Sequence, residues 1–445
     1  MRLRWWPIAL GLTVLALATP SGADVLPRQS GDCTADARNP SLTFDGTDYL
    51  VVWASSNRGR YARVGVCGSR VSRAGAVRDR GGLRIGPWSP LVFLRGPSVA
   101  FGGQNHLVAW SNTGVYANRV SPGGAVLDEA SLRLSSYLGN SRPAVAFDGT
   151  NHLVAWGGQG GVRFSRVRPD GNVLEPDGVL IGPGGEPAVA FDGTNFLVVW
   201  EGGCAGICGA RVSPSGMVLD SAGIPIAAGI GVAGDASVAF DGTNYLVVWS
   251  GSSSDGNNLR YTRVSPEGKT LDRGFLGRPL GGGLWPNVTF AGGNYLVVWL
   301  RHIVNVYEVY GARVSPSGNV LDPSGIRIAG TTFQGAPMVA FDGTNSLVVW
   351  GDAAVKGVRV SSAGRALDAS PIRISTSPIR CVVPRVVGLR LARAKARIRS
   401  ANCRLGRLRR VRSRRVGRVL GQSPRAEVRR PRGTRVNLIV GVRRR

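Results

Sequence analysis

Apolar positions recur through the middle of the chain in one repeated pattern: a short alternating run, a polar turn, then an unbroken apolar run ending in Trp. In its most regular form the unit reads Val-Ala-Phe-Asp-Gly-Thr-Asn-Tyr-Leu-Val-Val-Trp. It occurs seven times, with its Phe at Phe44, Phe101, Phe147, Phe191, Phe240, Phe290 and Phe341, and its Trp at Trp53, Trp110, Trp156, Trp200, Trp249, Trp299 and Trp350. A variable stretch follows each Trp and leads to a second signature, Arg-Val-Ser-Pro-x-Gly-x-Val-Leu-Asp, beginning at Arg70, Arg119, Arg166, Arg211, Arg263, Arg313 and Arg359. Each unit predicts four strands. Ser237 to Phe240 is a first strand, and Asp241-Gly242-Thr243-Asn244 a hairpin turn, because Asp-Gly suits positive φ. Tyr245 to Trp249 is a second strand whose continuous apolar run implies burial on both faces. The third ends at Ser265-Pro266-Glu267-Gly268, a turn in which Pro presets φ and Gly takes the left-handed position. The fourth strand, in the sixth unit, starts at Val320-Leu321-Asp322 and continues towards Ile326-Arg327-Ile328.

Successive Phe residues lie 44 to 57 positions apart. A four-stranded antiparallel unit of that length, repeated seven times, predicts an all-β, seven-bladed β-propeller, since closing the ring removes the exposed edges. The pattern resembles the propeller repeats of secreted and cell-surface bacterial proteins, and covers about residues 39–375. That resemblance implies architecture and says little about activity. In such a meander the Asp-Gly and Ser-Pro-x-Gly turns share one face. The variable stretches Ala54 to Ser69, Ser250 to Thr262 and Leu300 to Ala312 are expected as loops on the other.

The chain has 445 residues and a net charge of +28, yet 43 % of it is apolar, which excludes disorder throughout. The charge is uneven: residues 381–445 hold 22 basic side chains and one acid, Glu427. Met1 to Ala23 reads as a secretory signal peptide, with Arg2 and Arg4 ahead of an apolar run from Trp5 to Ala18 and a small-residue cleavage site. That run is too short to span a bilayer, and no later segment is long enough, so the mature chain is expected without a transmembrane segment and outside the cell. Six cysteines in an exported chain favour disulfides, and their positions suggest local pairs: Cys33 with Cys67, Cys204 with Cys208, Cys381 with Cys403. Neither metal nor cofactor is expected, since only His106, His152 and His302 occur and none is spaced with a Cys pair.

The seven Trp invite a sugar-stacking role, but a residue repeated at the end of every buried strand reads as core. Each repeat Arg has an acid nine residues on (Asp79, Asp128, Glu175, Asp220, Asp272, Asp322 and Asp368), and equivalent pairs point to a structural ring of ion pairs. No Gly-x-Ser-x-Gly elbow and no sialidase-type box is present, so no catalytic residue is assigned. The irregular acids Glu201, Asp255 and Glu308 are candidates by location alone. Trp88 and Trp285 interrupt the repeat in links on the loop face. With His302 they are the candidate contacts to a glycan or protein ligand there.

Ser375-Thr376-Ser377-Pro378 opens a linker, assigned to 376–380. Beyond it a helix is expected over Leu391–Ala401, with Leu391, Ala394, Ile398 and Ala401 on one face. Strands are expected over about Arg404–Val411, Arg418–Gln422 and Arg435–Val440. Val383-Pro384-Arg385-Val386-Val387-Gly388, Val419-Leu420-Gly421-Gln422-Ser423-Pro424 and Gly433-Thr434-Arg435-Val436-Asn437-Leu438 resemble a PASTA domain, the small α+β (βαβββ) module of bacterial wall-sensing kinases and penicillin-binding proteins. The resemblance implies binding to peptidoglycan. Glu427 departs from it, holding a slot usually taken by Gly, and so does the density of Arg. The basic excess predicts attraction to anionic cell-envelope polymers, with Arg429, Arg430, Arg432 and Arg435 as candidate contacts. Nucleic acid is disfavoured, because aromatics for base stacking are missing. The expected organisation is thus a signal peptide (1–23), a propeller (24–375), a linker (376–380) and a basic module (381–445). The expected function is that of a secreted, envelope-associated binding or scaffold protein. Its rival is a propeller-type polysaccharide hydrolase or lyase targeted by the same module.

Overall fold

The hydrophobic pattern folds into seven antiparallel sheets of consecutive strands, the architecture of a β-propeller. The computed structural model describes residues 33, 36–56, 63–90, 95–137, 141–204, 206–228, 233–253, 256–272, 274–275, 283–303, 306–331, 335–352, 354–375, 381–430 and 434–443. The segments read as a signal peptide (1–23) and a linker (376–380), together with Asp255 and Arg432, lie outside them. Sheets two to seven each have four strands in chain order; the first has a fifth, Ser89–Pro90, beside its third.

In the fifth sheet Ala233–Phe240, Tyr245–Ser253, Gly256–Val264 and Gly274–Phe275 pair in succession. The Asp-Gly turn forms because Asp241 Oδ1 accepts the backbone N–H groups of Thr243 and Asn244, both at 2.7 Å, while Gly242 takes φ +98°. The second turn closes with Gly268 N–H donating to the Ser265 carbonyl at 2.9 Å and Gly268 at φ +85°. All seven repeat Trp are buried, at most 3 % exposed, in the layers between sheets. Cys33–Cys67, Cys204–Cys208 and Cys381–Cys403 are disulfide-bonded.

The ring of ion pairs is also a ring of hydrogen bonds between sheets. Each repeat Arg grips its acid nine residues on, as Arg119 grips Asp128 at 2.7 Å. It then reaches a turn carbonyl of the next sheet: Arg119 donates to Pro169 O at 3.0 Å, Arg166 to Pro214 O at 2.6 Å, and Arg359 of the seventh sheet to Arg73 O of the first at 3.4 Å. The Tyr49 hydroxyl repeats this closure, donating to Asn345 O at 3.1 Å. Leu347 and Val349 of the seventh sheet share a core with Tyr49, Val51 and Trp53 of the first.

Two expectations are corrected. The fourth strand of the sixth sheet is Ile326–Thr331, and Val320-Leu321-Asp322 is not part of it. There Val320 makes only a single bridge to Val314, while the Asp322 carboxylate accepts the Arg313 backbone N–H at 2.9 Å and turns the chain away. The stretches read as loops after Trp53, Trp249 and Trp299 are largely strand. Asn294–Ile303 and Val306–Val314 pair out to Ile303 and Val306, held by the cross-strand pairs Arg301 with Glu308 and His302 with Tyr307.

From Cys381 onward the elements fall close to the expected places. The helix is Leu391–Ser400, with Ala394 and Ile398 buried. Arg404–Arg412 pairs parallel with Arg435–Val442, which pairs antiparallel with Val419–Ser423. Cys381–Val382 pairs with Arg429–Arg430. Gln422 joins two of the quoted motifs, accepting from Val386 N–H at 2.8 Å and donating to Pro384 O at 3.0 Å. Glu427 has φ +68°, so its slot does require the left-handed conformation that favours Gly.

Candidate functional site at the axial mouth

At or just ahead of the start of the innermost strand, every sheet carries a position that does not repeat. Five residues before the Phe stand Asn39, Gly96, Arg142, Glu186, Asp235, Trp285 and Ala336, followed by Pro in six units and by Ala236 in the fifth. The second residue after them also varies, with Asn287 and Met338 where the other units have Ser or Ala, and the strands then end in Val-Ala-Phe or a near variant. In four sheets a bulge falls at this point, between Arg38 and Ser41, Gly185 and Ala188, Gly234 and Ser237, and Leu284 and Asn287. The bulge places Asn39, Glu186, Asp235 and Trp285 at φ between +46° and +56°; Gly96, ahead of its strand, has φ +105°. Glycine suits such a site. For side chains of that size it costs about 1–3 kcal/mol each, a cost met where the side chain is needed.

These strands enclose a cavity of about 260 Å³ to which all seven sheets contribute, with Arg142, Glu186, Asp235, Trp285, Asn287 and Met338 among its walls. The seven positions lie where the links between sheets enter the innermost strands, which puts them at the end of the axis opposite the Asp-Gly turns. Arg142 reaches across: its Nη2 donates to Pro40 O at 2.7 Å, its Nε to Pro97 O at 3.1 Å, and its Nη1 lies 3.4 Å from Met338 Sδ. It thereby joins the third sheet to the first, second and seventh. Burial lowers the guanidinium to about 10, against the opposing pull of Glu186, so it remains cationic at neutral pH.

The acids lie on the fourth and fifth sheets. Burial pushes the Glu186 carboxyl up, with Asp235 adding to the rise, while the Arg142 backbone N–H, 3.4 Å away, and Arg95 pull it down. Asp235 is likewise raised by burial, with the Ser250 hydroxyl donating to it at 3.1 Å. Glu201, at the end of the second strand opposite Gly185, is raised by burial and by both other acids, and it accepts the Asp235 backbone N–H. None of the three is ion-paired among the described residues. Asn287 completes the wall, donating to Ser237 Oγ at 3.1 Å and accepting Val339 N–H at 2.9 Å. Carboxylates, a cation and an aromatic ring therefore share one small cavity, a set able to hydrogen-bond and stack on a polar ligand.

Of the sequence candidates, Trp285 lines this cavity. Trp88 packs over Gly65 of the first sheet, where a Cβ would meet its ring at 3.1 Å. His302 is exposed and stacks on Tyr307 at 4.5 Å. The three are not brought together. Glu308 is taken up by Arg301 at 2.9 Å and Arg327 at 2.7 Å, which hold its carboxyl below the usual range. Arg430 and Arg435 are exposed, and Arg429 pairs through its backbone with Val382. Arg142, Glu186 and Asp235 were missed. Their signal was a position of changing chemistry at a fixed distance from a repeated motif, three residues ahead of its first Val.

No protein-family model matches the chain, and the search of curated proteins found no match. Among solved structures it is similar to the BP39L lectin from Burkholderia pseudomallei, at 14 % identity and a TM-score of 0.57, over 76 % of this chain and 99 % of that one. A periplasmic gluconolactonase from Pseudomonas aeruginosa gives 19 % identity and a TM-score of 0.45, over 67 % and 86 %. An endo-arabinanase from Bacillus licheniformis gives 15 % and 0.35, over 50 % and 95 %. Identities this low speak for the fold alone, and the chain has the fold of a β-propeller.

Proposed function

We propose that this chain is a secreted or envelope-associated, non-enzymatic binding protein. Its seven sheets act as the blades of a seven-bladed propeller that takes a glycan or protein ligand at the axial mouth. A PASTA-like module over 381–445 attaches it to peptidoglycan or anionic envelope polymers. One observation carries the ligand reading: the position five residues before the Phe does not repeat, and there Arg142, Glu186, Asp235 and Trp285 stand side by side in successive sheets. A purely structural position would repeat, as the Trp and the Arg–acid pairs do. Three disulfides among the described residues favour an oxidising compartment. No described helix is long and apolar enough to cross a membrane. The Gln422 bonds and the left-handed Glu427 support the PASTA-like reading of the tail.

Purified protein probed against glycan and cell-wall fragment arrays should give ligands whose binding falls at least about tenfold in the E186Q/D235N double variant, the loss expected when charged hydrogen bonds go. Binding that survives this change would place the ligand elsewhere. The rival, a polysaccharide hydrolase or lyase, is favoured by the convergence of Glu186, Glu201 and Asp235 with raised carboxyls. Turnover of an array ligand, abolished in E186Q or D235N while binding persists, decides for it.

A further inference from the structure

Among the described residues, Arg404–Arg412 is the end strand of the C-terminal three-stranded sheet, paired on one side only, with Arg435–Val442. Arg404, Arg407, Arg409, Arg410 and Arg412 are all exposed. Partners in neighbouring strands share a face, so Arg410 and Arg412, opposite Val440 and Val442, lie on one face of the sheet, and Arg409, opposite Ile439, on the other. Cations therefore flank the open edge on both sides. Arg404 stands opposite Arg435, a pairing of like charges that costs stability. Little of opposite sign answers them. Glu427 is the one acid in 381–445, and no ion pair among the described residues involves that segment. Cys403, buried and bonded to Cys381, anchors the start of the strand.

Residue types narrow the partner. Of the 22 basic residues in 381–445, 21 are Arg and one is Lys395. The guanidinium fork matches phosphate oxygens in pairs, which a lysine ammonium does not. No Phe, Trp, Tyr or His occurs in the segment, so nucleic-acid bases would find no stacking platform. An extended edge with charges on both flanks suits an extended chain of anions.

We infer that the open Arg404–Arg412 edge is a binding site for a linear phosphodiester polymer without bases, of the polyol phosphate type. The inference rests on the envelope-attachment reading of the module, and it moves the contact from Arg429, Arg430, Arg432 and Arg435 to the Arg404–Arg412 strand. Charge on an edge strand also discourages pairing with other chains, so the test must separate binding from that role.

Full-length protein is titrated with fluorescently labelled synthetic poly(glycerol phosphate) at 50–200 mM salt. With about five phosphate contacts and a slope near −0.7 per contact, affinity should fall about 10²-fold across that range. A variant with R404Q, R407Q, R409Q, R410Q and R412Q should bind at least about tenfold more weakly at low salt and lose most of the slope. A variant with R385Q, R393Q, R397Q, R399Q and R425Q, equal in charge, should keep most of the affinity. Equal loss in both variants would make net charge the cause and overturn the site. Tighter binding to single-stranded DNA of equal length, or to phosphatidylglycerol vesicles, would overturn the partner class. Salt-insensitive binding of soluble muropeptides without binding of the polymer would overturn the inference while leaving envelope attachment standing. Absence of binding to any of these probes and to isolated walls would sink both. Should the first variant fail to fold, R409E alone must weaken polymer binding more than R425E does, or the site is wrong.

Discussion

Replacing Trp249 by alanine should lower the free energy of unfolding by about 3–5 kcal/mol, the cost of emptying a large buried site. Trp249 is 1 % exposed and packs with Leu197, Val199 and Tyr245 in the layer between the fourth and fifth sheets. Trp285 differs in kind. It is half-buried at the axial mouth, and alanine at φ +51° gains nothing in backbone fit, so Trp285→Ala should change stability by less than about 1 kcal/mol while removing the ring a ligand would meet. Denaturant unfolding of both variants gives the comparison. Equal losses would contradict the division between repeated and unrepeated Trp.

Acid should weaken the ring between pH 6.5 and 4 through two buried histidines. His106 and His152 hold the place that Tyr49, Tyr245 and Tyr295 hold in other sheets, five residues after the Phe. Burial pushes both imidazoles down to about 4, although Asp45, 3.3 Å from His106 Nε2, pulls that one up. His152 lies against Gly102, which stands where most sheets have the turn Asp. An unfolded chain has histidine near 6.5, so between 6.5 and 4 the unfolded state binds more protons and stability falls as pH falls. Each histidine contributes about 3 kcal/mol over that window, and nothing further below it. The raised carboxyls of Glu186, Glu201 and Asp235 act in the opposite sense, taking up protons in the folded state above the ordinary carboxylate range. The test is therefore made by difference. His106→Tyr with His152→Phe, residues that other sheets already carry there, should remove most of the loss between pH 7 and pH 4.5. An unchanged loss would mean that the histidines are not the acid-labile groups.

Much of this fold was legible because the repeat states it seven times. Asp241-Gly242, Ser265-Pro266-Glu267-Gly268 and Trp249 each obey a local rule, and a rule repeated in seven contexts survives the exceptions of any one. The arms after Trp53, Trp249 and Trp299 were less legible. The first two are polar and interrupted by glycine and serine, the third is apolar without a turn signal of the Asp-Gly kind, and strand pairing there depends on cross-strand partners such as Arg301 and Glu308. The axial cavity was hidden for another reason. Glu186 and Trp285 are poor residues for left-handed backbone, and nothing local announces that seven strand starts converge on one axis. Tertiary closure alone makes neighbours of Arg142, Pro40 and Met338.

The most direct measurement is hydrogen exchange of the full chain with and without the tightest ligand from the glycan and cell-wall fragment arrays, at saturating concentration. Binding at the axial mouth predicts slowed exchange in peptides covering 142–146, 186–190, 235–239 and 285–289, with the Asp-Gly and Ser-Pro-x-Gly turns unaffected. Protection confined to 381–443 or to the outer strands, with the four innermost segments unchanged, would contradict it.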